Sequence, residues 1–130
     1  MGEEKVQVEI GYKIWLKGIG DSLPGFSLGP GDVQLMEALM KHKNLTKASE
    51  AVGYSYKYAW RKLKDIKKQT GIAVSKSFKG GAGGGGKVIL TNWGRYLISK
   101  FNEFYQEIEK KVEFCNEKLS QNPFVRKNSD

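Results

Sequence analysis

Seven consecutive residues, Gly80-Gly81-Ala82-Gly83-Gly84-Gly85-Gly86, hold six glycines and no side chain larger than a methyl. Such a run has nothing to bury and the most backbone entropy to lose, so neither a helix nor a packed strand passes through it. The residues before it, Ile72 to Lys79, and after it, Lys87 to Leu90, read as two short strands. Two strands joined by a long glycine tip make a hairpin over about 72–90, a wing. The alternative is a flexible linker.

The elements upstream follow from periodicity. Residues 5–17 alternate: Val6, Val8, Ile10, Tyr12, Ile14 and Leu16 share one face. Period two over this length predicts a half-buried strand, with Trp15 on its polar face and Gly11 at a bulge. Residues 18–31 are rich in Gly and Pro and read as a loop, with a short strand at Phe26–Leu28. A first helix is predicted over about 30–42, with Pro30 in its first turn and Asp32 at its positive end. A second, over about 46–52, takes Thr46 as N-cap and turns Leu45, Ala48, Ala51 and Val52 inward. Gly53 suits a tight turn.

A third helix starts after Ser55 and ends before Gly71. Tyr56, Ala59, Trp60, Leu63 and Ile66 form its apolar stripe, while Lys57, Arg61, Lys64 and Lys68 recur at i, i+4, i+7 and i+11 on another face. Short helix, glycine turn and basic helix make a helix-turn-helix pattern over about 45–70. Charge isolates the same region. Tyr54 to Lys87 carries nine basic residues and one acid, a net +8 that equals the charge of the whole chain. A chain neutral everywhere else concentrates its positive field here, which suits a polyanion whose counterions are released on contact. The bland alternative is a solvated helix face.

Thr91 is a natural N-cap for a last helix over about 92–119. Leu97, Phe101, Phe104, Ile108, Val112, Cys115 and Leu119 are spaced 4, 3, 4, 4, 3 and 4 apart, close to a heptad seam. At about 40 Å this helix outruns what a small domain covers, so the seam is expected to serve a second copy of the chain. The alternative is packing wholly on its own domain. Residues 120–130 read as a frayed tail.

Other chemistry has little footing. Gly81-x-x-x-x-Gly86-Lys87 imitates a phosphate-binding loop, but Val88 stands where a magnesium-holding Ser or Thr is required, and a strand follows where a helix is needed. His42 and Cys115 are the single histidine and cysteine, too few for a metal site and without companions for catalysis. No enzyme activity and no cofactor are expected. One cysteine allows no internal disulfide, which fits a reducing cytoplasm. No apolar run nears 18 residues, and the alternating N-terminus is not a signal peptide.

Ser55-Tyr56-Lys57-Tyr58-Ala59-Trp60, followed by Gly80-Gly81-Ala82-Gly83-Gly84-Gly85-Gly86-Lys87-Val88-Ile89-Leu90-Thr91, resembles the N-terminal DNA-binding domain of the molybdate-responsive ModE-type regulators. The resemblance runs from about Lys13 to Val112. It implies a winged helix-turn-helix, related to the LysR-type domain, that binds DNA and dimerises through a long helix. Full-length members continue into molybdate-binding domains, whereas this sequence ends at Asp130, so no molybdate site is evident in it.

The expected protein is mainly α with a small β component. It has a winged helix-turn-helix over 1–91 with an N-terminal strand, a dimerisation helix over 92–119, and a flexible tail. It is expected to bind double-stranded DNA as a homodimeric transcriptional regulator. Lys57, Tyr58, Arg61 and Lys64 would meet the major groove, with the planar fork of Arg61 on a guanine. Tyr54 and Ser55 would reach phosphates, Lys68, Lys76, Lys79 and Lys87 would hold the backbone, and Gly83, Gly84, Gly85 and Gly86 would lie against it. Ala48, Trp60 and Leu63 are expected in the core. Two rivals use the same residues: an architectural nucleic-acid-binding protein without base readout, and a protein-interaction module built on the last helix.

Overall fold

The computed structural model of the chain describes residues 2–21, 25–79 and 86–127. Among them the order is β1 (Glu3–Val6), β2 (Leu16–Lys17), β3 (Ser27–Leu28), α1 (Pro30–His42), α2 (Leu45–Val52), α3 (Tyr56–Thr70), β4 (Ser75–Phe78), β5 (Lys87–Leu90), α4 (Asn92–Gln121) and β6 (Phe124–Lys127). The class is mainly α with three small antiparallel strand pairs. Two units share these elements: residues 14–102, and residues 1–13 with 103–130.

In the first unit each helix has a local reason to begin and end. Pro30 opens α1, and the Asp32 carboxylate accepts from the Gly29 N–H at 3.1 Å. The helix closes on Lys43, a non-glycine residue in the left-handed region at φ 53°, whose N–H donates to the Leu39 carbonyl. Asn44, not Thr46, caps α2: its Oδ1 accepts from the Lys47 N–H at 2.9 Å. The earlier start lets Leu45 be buried as the first helical residue. The buried small residues of α2 are Ala48 and Ser49; Ala51 is exposed and Val52 half-buried, against the inward-facing expectation. Ser49 tolerates burial because its hydroxyl donates to the Thr46 carbonyl at 2.8 Å.

Helix α3 opens on Ser55, whose Oγ accepts from the Tyr58 N–H at 3.1 Å, and closes on Gly71 at φ 75°. Its buried side is Ala59, Leu63, Ile66 and Thr70. Tyr56 and Trp60, expected on that stripe, are 54% and 47% exposed. Adjacent residues lie about 100° apart around a helix, so Trp60 cannot share the direction of Ala59.

The β4–β5 pair registers Ser75 with Leu90 and Phe78 with Lys87. Alternation turns Val88 and Leu90 into the core and Lys87 outward. The Val88 N–H donates to the Lys43 carbonyl at 2.9 Å, tying β5 to the end of α1. Thr91 then locks the start of α4 to Ala73 and Val74, just ahead of β4. Its N–H donates to the Val74 carbonyl at 2.9 Å, its hydroxyl donates to the Ala73 carbonyl at 2.7 Å, and its Oγ1 accepts from the Gly94 N–H at 3.2 Å. Gly94 is glycine for space: a Cβ there would stand 2.5 Å from the Val74 carbonyl oxygen. One and two turns on, Leu97 and Phe101 are 3% and 4% exposed. Both were expected on an intermolecular seam; both belong to the core of this unit.

In the second unit β1 and β6 pair antiparallel, Glu3 with Lys127 and Val6 with Phe124, and Arg126 forms an ion pair with Glu4. Residues 120–130, expected to fray, therefore contain a strand. The continuous strand expected over 5–17 is absent: β1 stops at Val6. Past it, the Ile10 N–H donates to Asn116 Oδ1 at 2.7 Å and the Asn116 side-chain amide donates to the Ile10 carbonyl at 3.3 Å. One helix side chain thus replaces a neighbouring strand. The Tyr12 and Tyr105 rings lie 5.7 Å apart, and the side-chain hydrogen bond between them, which favours the protonated form of Tyr12, pushes the Tyr12 pKa up to about 12. Among the described residues of this unit no apolar side chain is buried: Phe104, Ile108, Phe114 and Phe124 are exposed, and Val112, Cys115 and Leu119 are intermediate.

Candidate nucleic-acid interface

The candidate surface is built on α3 because this helix has two opposed faces. Ala59, Leu63 and Ile66 anchor one in the core. Lys57, Arg61, Lys64 and Lys68 all lie exposed on the other. None of the four has an ion pair among the described residues. Exposed cations on a rigid helix keep their full field and pay little reorganisation when an anion arrives.

Lys62 differs. It turns toward α1, where its Nζ lies 2.9 Å from Asp32 Oδ1 and 5.2 Å from the Tyr58 ring centroid. Burial pulls its pKa down, but the hydrogen bond and charge of Asp32 outweigh that and hold it above the ordinary lysine value. Asp32 also caps α1, so this carboxylate fixes α3 relative to the start of α1. Tyr54 is half-buried: its ring meets Tyr58 edge-on at 4.9 Å, and its hydroxyl occupies the space that a Cβ on Gly31 would need. Tyr54 is therefore a packing residue first. The Ser55 oxygen accepts in the α3 cap, leaving its proton free to donate. Tyr58 stays about half exposed.

On the β4–β5 pair, Lys76, Lys79, Gly86 and Lys87 are exposed, and Gly83, Gly84 and Gly85 lie outside the described residues. Alternation puts Lys76, Phe78 and Lys87 on the outward face of the pair, away from buried Val88 and Leu90. Phe78 is half exposed there.

Two residues of this surface escaped sequence reasoning. Trp60, expected in the core, stands at its rim, with the Lys64 Nζ 4.1 Å from its ring centroid. Lys67 lies beside it. Both line a cleft of about 170 Å³ between α3 and the β4–β5 pair, and both also border a broader groove of about 520 Å³ with Arg61, Lys64, Asp65 and Lys68. The signal was present in the helical angle: Trp60 and Lys67 are seven apart and share one flank, beside the basic stripe and away from Ala59.

Among the described residues no cluster of His, Cys, Asp or Glu could hold a metal ion, and no helix is long and apolar enough to cross a membrane. No family model matches the chain. It is similar to the molybdenum transport protein ModE of Azotobacter vinelandii. The two are 25% identical over 101 residues, covering 78% of this chain and 37% of ModE. The chain thus spans little more than a third of the curated relative's length. The similarity is that of a distant ModE-like relationship.

Proposed function

We propose that this protein is a sequence-specific regulator of transcription that binds double-stranded DNA as a homodimer through a winged helix-turn-helix. In this reading α2 and α3 are the helix-turn-helix, the β4–β5 pair is the wing, and α3 enters the major groove. The observation that carries the reading is the exposed stripe Lys57, Arg61, Lys64 and Lys68, without ion pairs among the described residues, on a helix whose other face is core. Arg61 reads a guanine by its paired donors, and Lys68, Lys76, Lys79 and Lys87 hold the backbone. The distant likeness to ModE and the hexapeptide at Ser55–Trp60 point the same way.

Support for the dimer comes from the second unit. A two-stranded sheet is marginal alone, and Phe104, Ile108, Val112, Cys115 and Leu119 leave apolar surface on α4 without a core beneath it. A second copy is the simplest cover, and a two-fold pair presents two α3 helices to two half-sites. The reading gives these residues no catalytic role.

Selection of bound fragments from a random duplex pool, at roughly 150 mM salt where weak electrostatic binding is suppressed, tests it. An inverted repeat is the expected result. Uniform retention that vanishes as salt rises would instead assign the basic surface to architectural binding.

A further inference from the structure

The cleft between α3 and the β4–β5 pair sorts by chemistry. Leu45, Leu63, Val74 and Val88 supply apolar wall, whereas Lys64, Lys67, Ser75 and Ser77 supply donors. No carboxylate is among its described lining residues, and neither lysine has an ion pair among the described residues. Its 170 Å³ fall below the range of about 300–1,000 Å³ usual for small-molecule pockets. Space of this size, with two lysines and two serines in its lining, suits one oxyanion group. Trp60 adds a geometric constraint. A lysine normally disperses over many rotamers, but the Lys64 ammonium rests 4.1 Å from the Trp60 centroid, where the ring quadrupole holds it at the cleft.

We propose that this cleft seats one backbone phosphate of bound duplex DNA. Lys64 and Lys67 neutralise it, Ser75 or Ser77 donates a hydrogen bond to it, and Trp60 is a positioning residue for Lys64. The inference rests on the DNA-binding reading above and deepens it. It divides the cations of α3 between two tasks: Lys57 and Arg61 meet the base edges, while Lys64 and Lys67, which line the cleft, grip the strand running between helix and wing. Trp60 matters through the lysine that it holds.

The test uses the full chain and a duplex recovered by the selection above, with binding measured across a salt series. Lys64→Ala and Lys67→Ala should each flatten the slope of log affinity against log salt by about one. Trp60→Ala should reproduce the slope of Lys64→Ala, Trp60→Phe should keep the wild-type slope, and Trp60→Ala added to Lys64→Ala should cost nothing more. A neutral methylphosphonate at one linkage should weaken the wild type, weaken Lys64→Ala and Lys67→Ala less, and leave the double variant Lys64→Ala/Lys67→Ala nearly unaffected. Wild-type slopes in lysine variants that still bind would overturn the inference alone. Weaker binding by Trp60→Ala at an unchanged slope would remove its positioning role. Saturable binding of inorganic phosphate that is lost in Lys67→Ala yet leaves duplex affinity unchanged at constant ionic strength would assign the cleft to a free oxyanion and overturn the proposal. A wild type that binds no duplex would defeat this inference and the functional reading together.

Discussion

Gly94→Ala sets two well-calibrated effects against each other. Helix propensity alone predicts a gain of about 1 kcal/mol, because Gly94 lies in the first turns of α4 and alanine is the best helix former. Packing predicts the opposite. The new methyl would stand 2.5 Å from the Val74 carbonyl oxygen and 3.4 Å from the Val74 Cβ. That carbonyl cannot swing away freely, since it accepts from the Thr91 N–H at 2.9 Å. To make room, the start of α4 must lift from the segment ahead of β4 and weaken the bonds from Thr91 to Val74 and Ala73. Overpacking costs about 1–3 kcal/mol, and each weakened hydrogen bond about 1 kcal/mol. Set against the propensity gain, the net loss is about 3 kcal/mol, or roughly 15 °C in Tm for a unit of this size. Urea and thermal denaturation followed by circular dichroism read it directly. A variant as stable as the wild type, or more so, would refute the close approach of α4 to Val74.

Four further outcomes are expected. Arg61→Ala should weaken binding to the selected duplex by about 1–3 kcal/mol and blur one base position; equal losses on selected and random duplexes would remove its readout role. Lys43→Gly should stabilise by about 0.5–1 kcal/mol in denaturant titration, because glycine relieves the left-handed strain at φ 53°. For Lys62, the folded pKa lies above the ordinary value of 10.5. Its stabilising contribution is thus complete below that pH and lost as pH rises through the raised value. The stability difference between wild type and Lys62→Met, roughly 1 kcal/mol for a part-buried pair, should persist at neutral pH and shrink in strong alkali. Ile108→Glu should weaken self-association at least tenfold in sedimentation velocity while the thermal transition of residues 14–102 stays in place; an unchanged sedimentation profile would count against the dimer proposal.

Local rules alone determined much of this protein. Pro30 and Asp32, Ser55 and Gly71, and Thr91 mark helix ends because a cap needs only its own few neighbours. The basic stripe of α3 was equally legible, since exposed residues at helical spacing share a face whatever lies beneath. Tertiary structure decided the rest. The pattern of Leu97, Phe101, Phe104 and Ile108 is one continuous seam in sequence, yet the first two are buried and the last two exposed. Periodicity states which residues share a side, not how far the underlying core extends. The alternation of residues 5–17 could not reveal that Asn116, more than a hundred positions away, would supply the partner a strand needs. Trp60 was misjudged for a related reason. Its hydrophobicity argues for burial, but only the meeting of α3 with β4 and β5 creates the rim on which its ring rests and Lys64 settles.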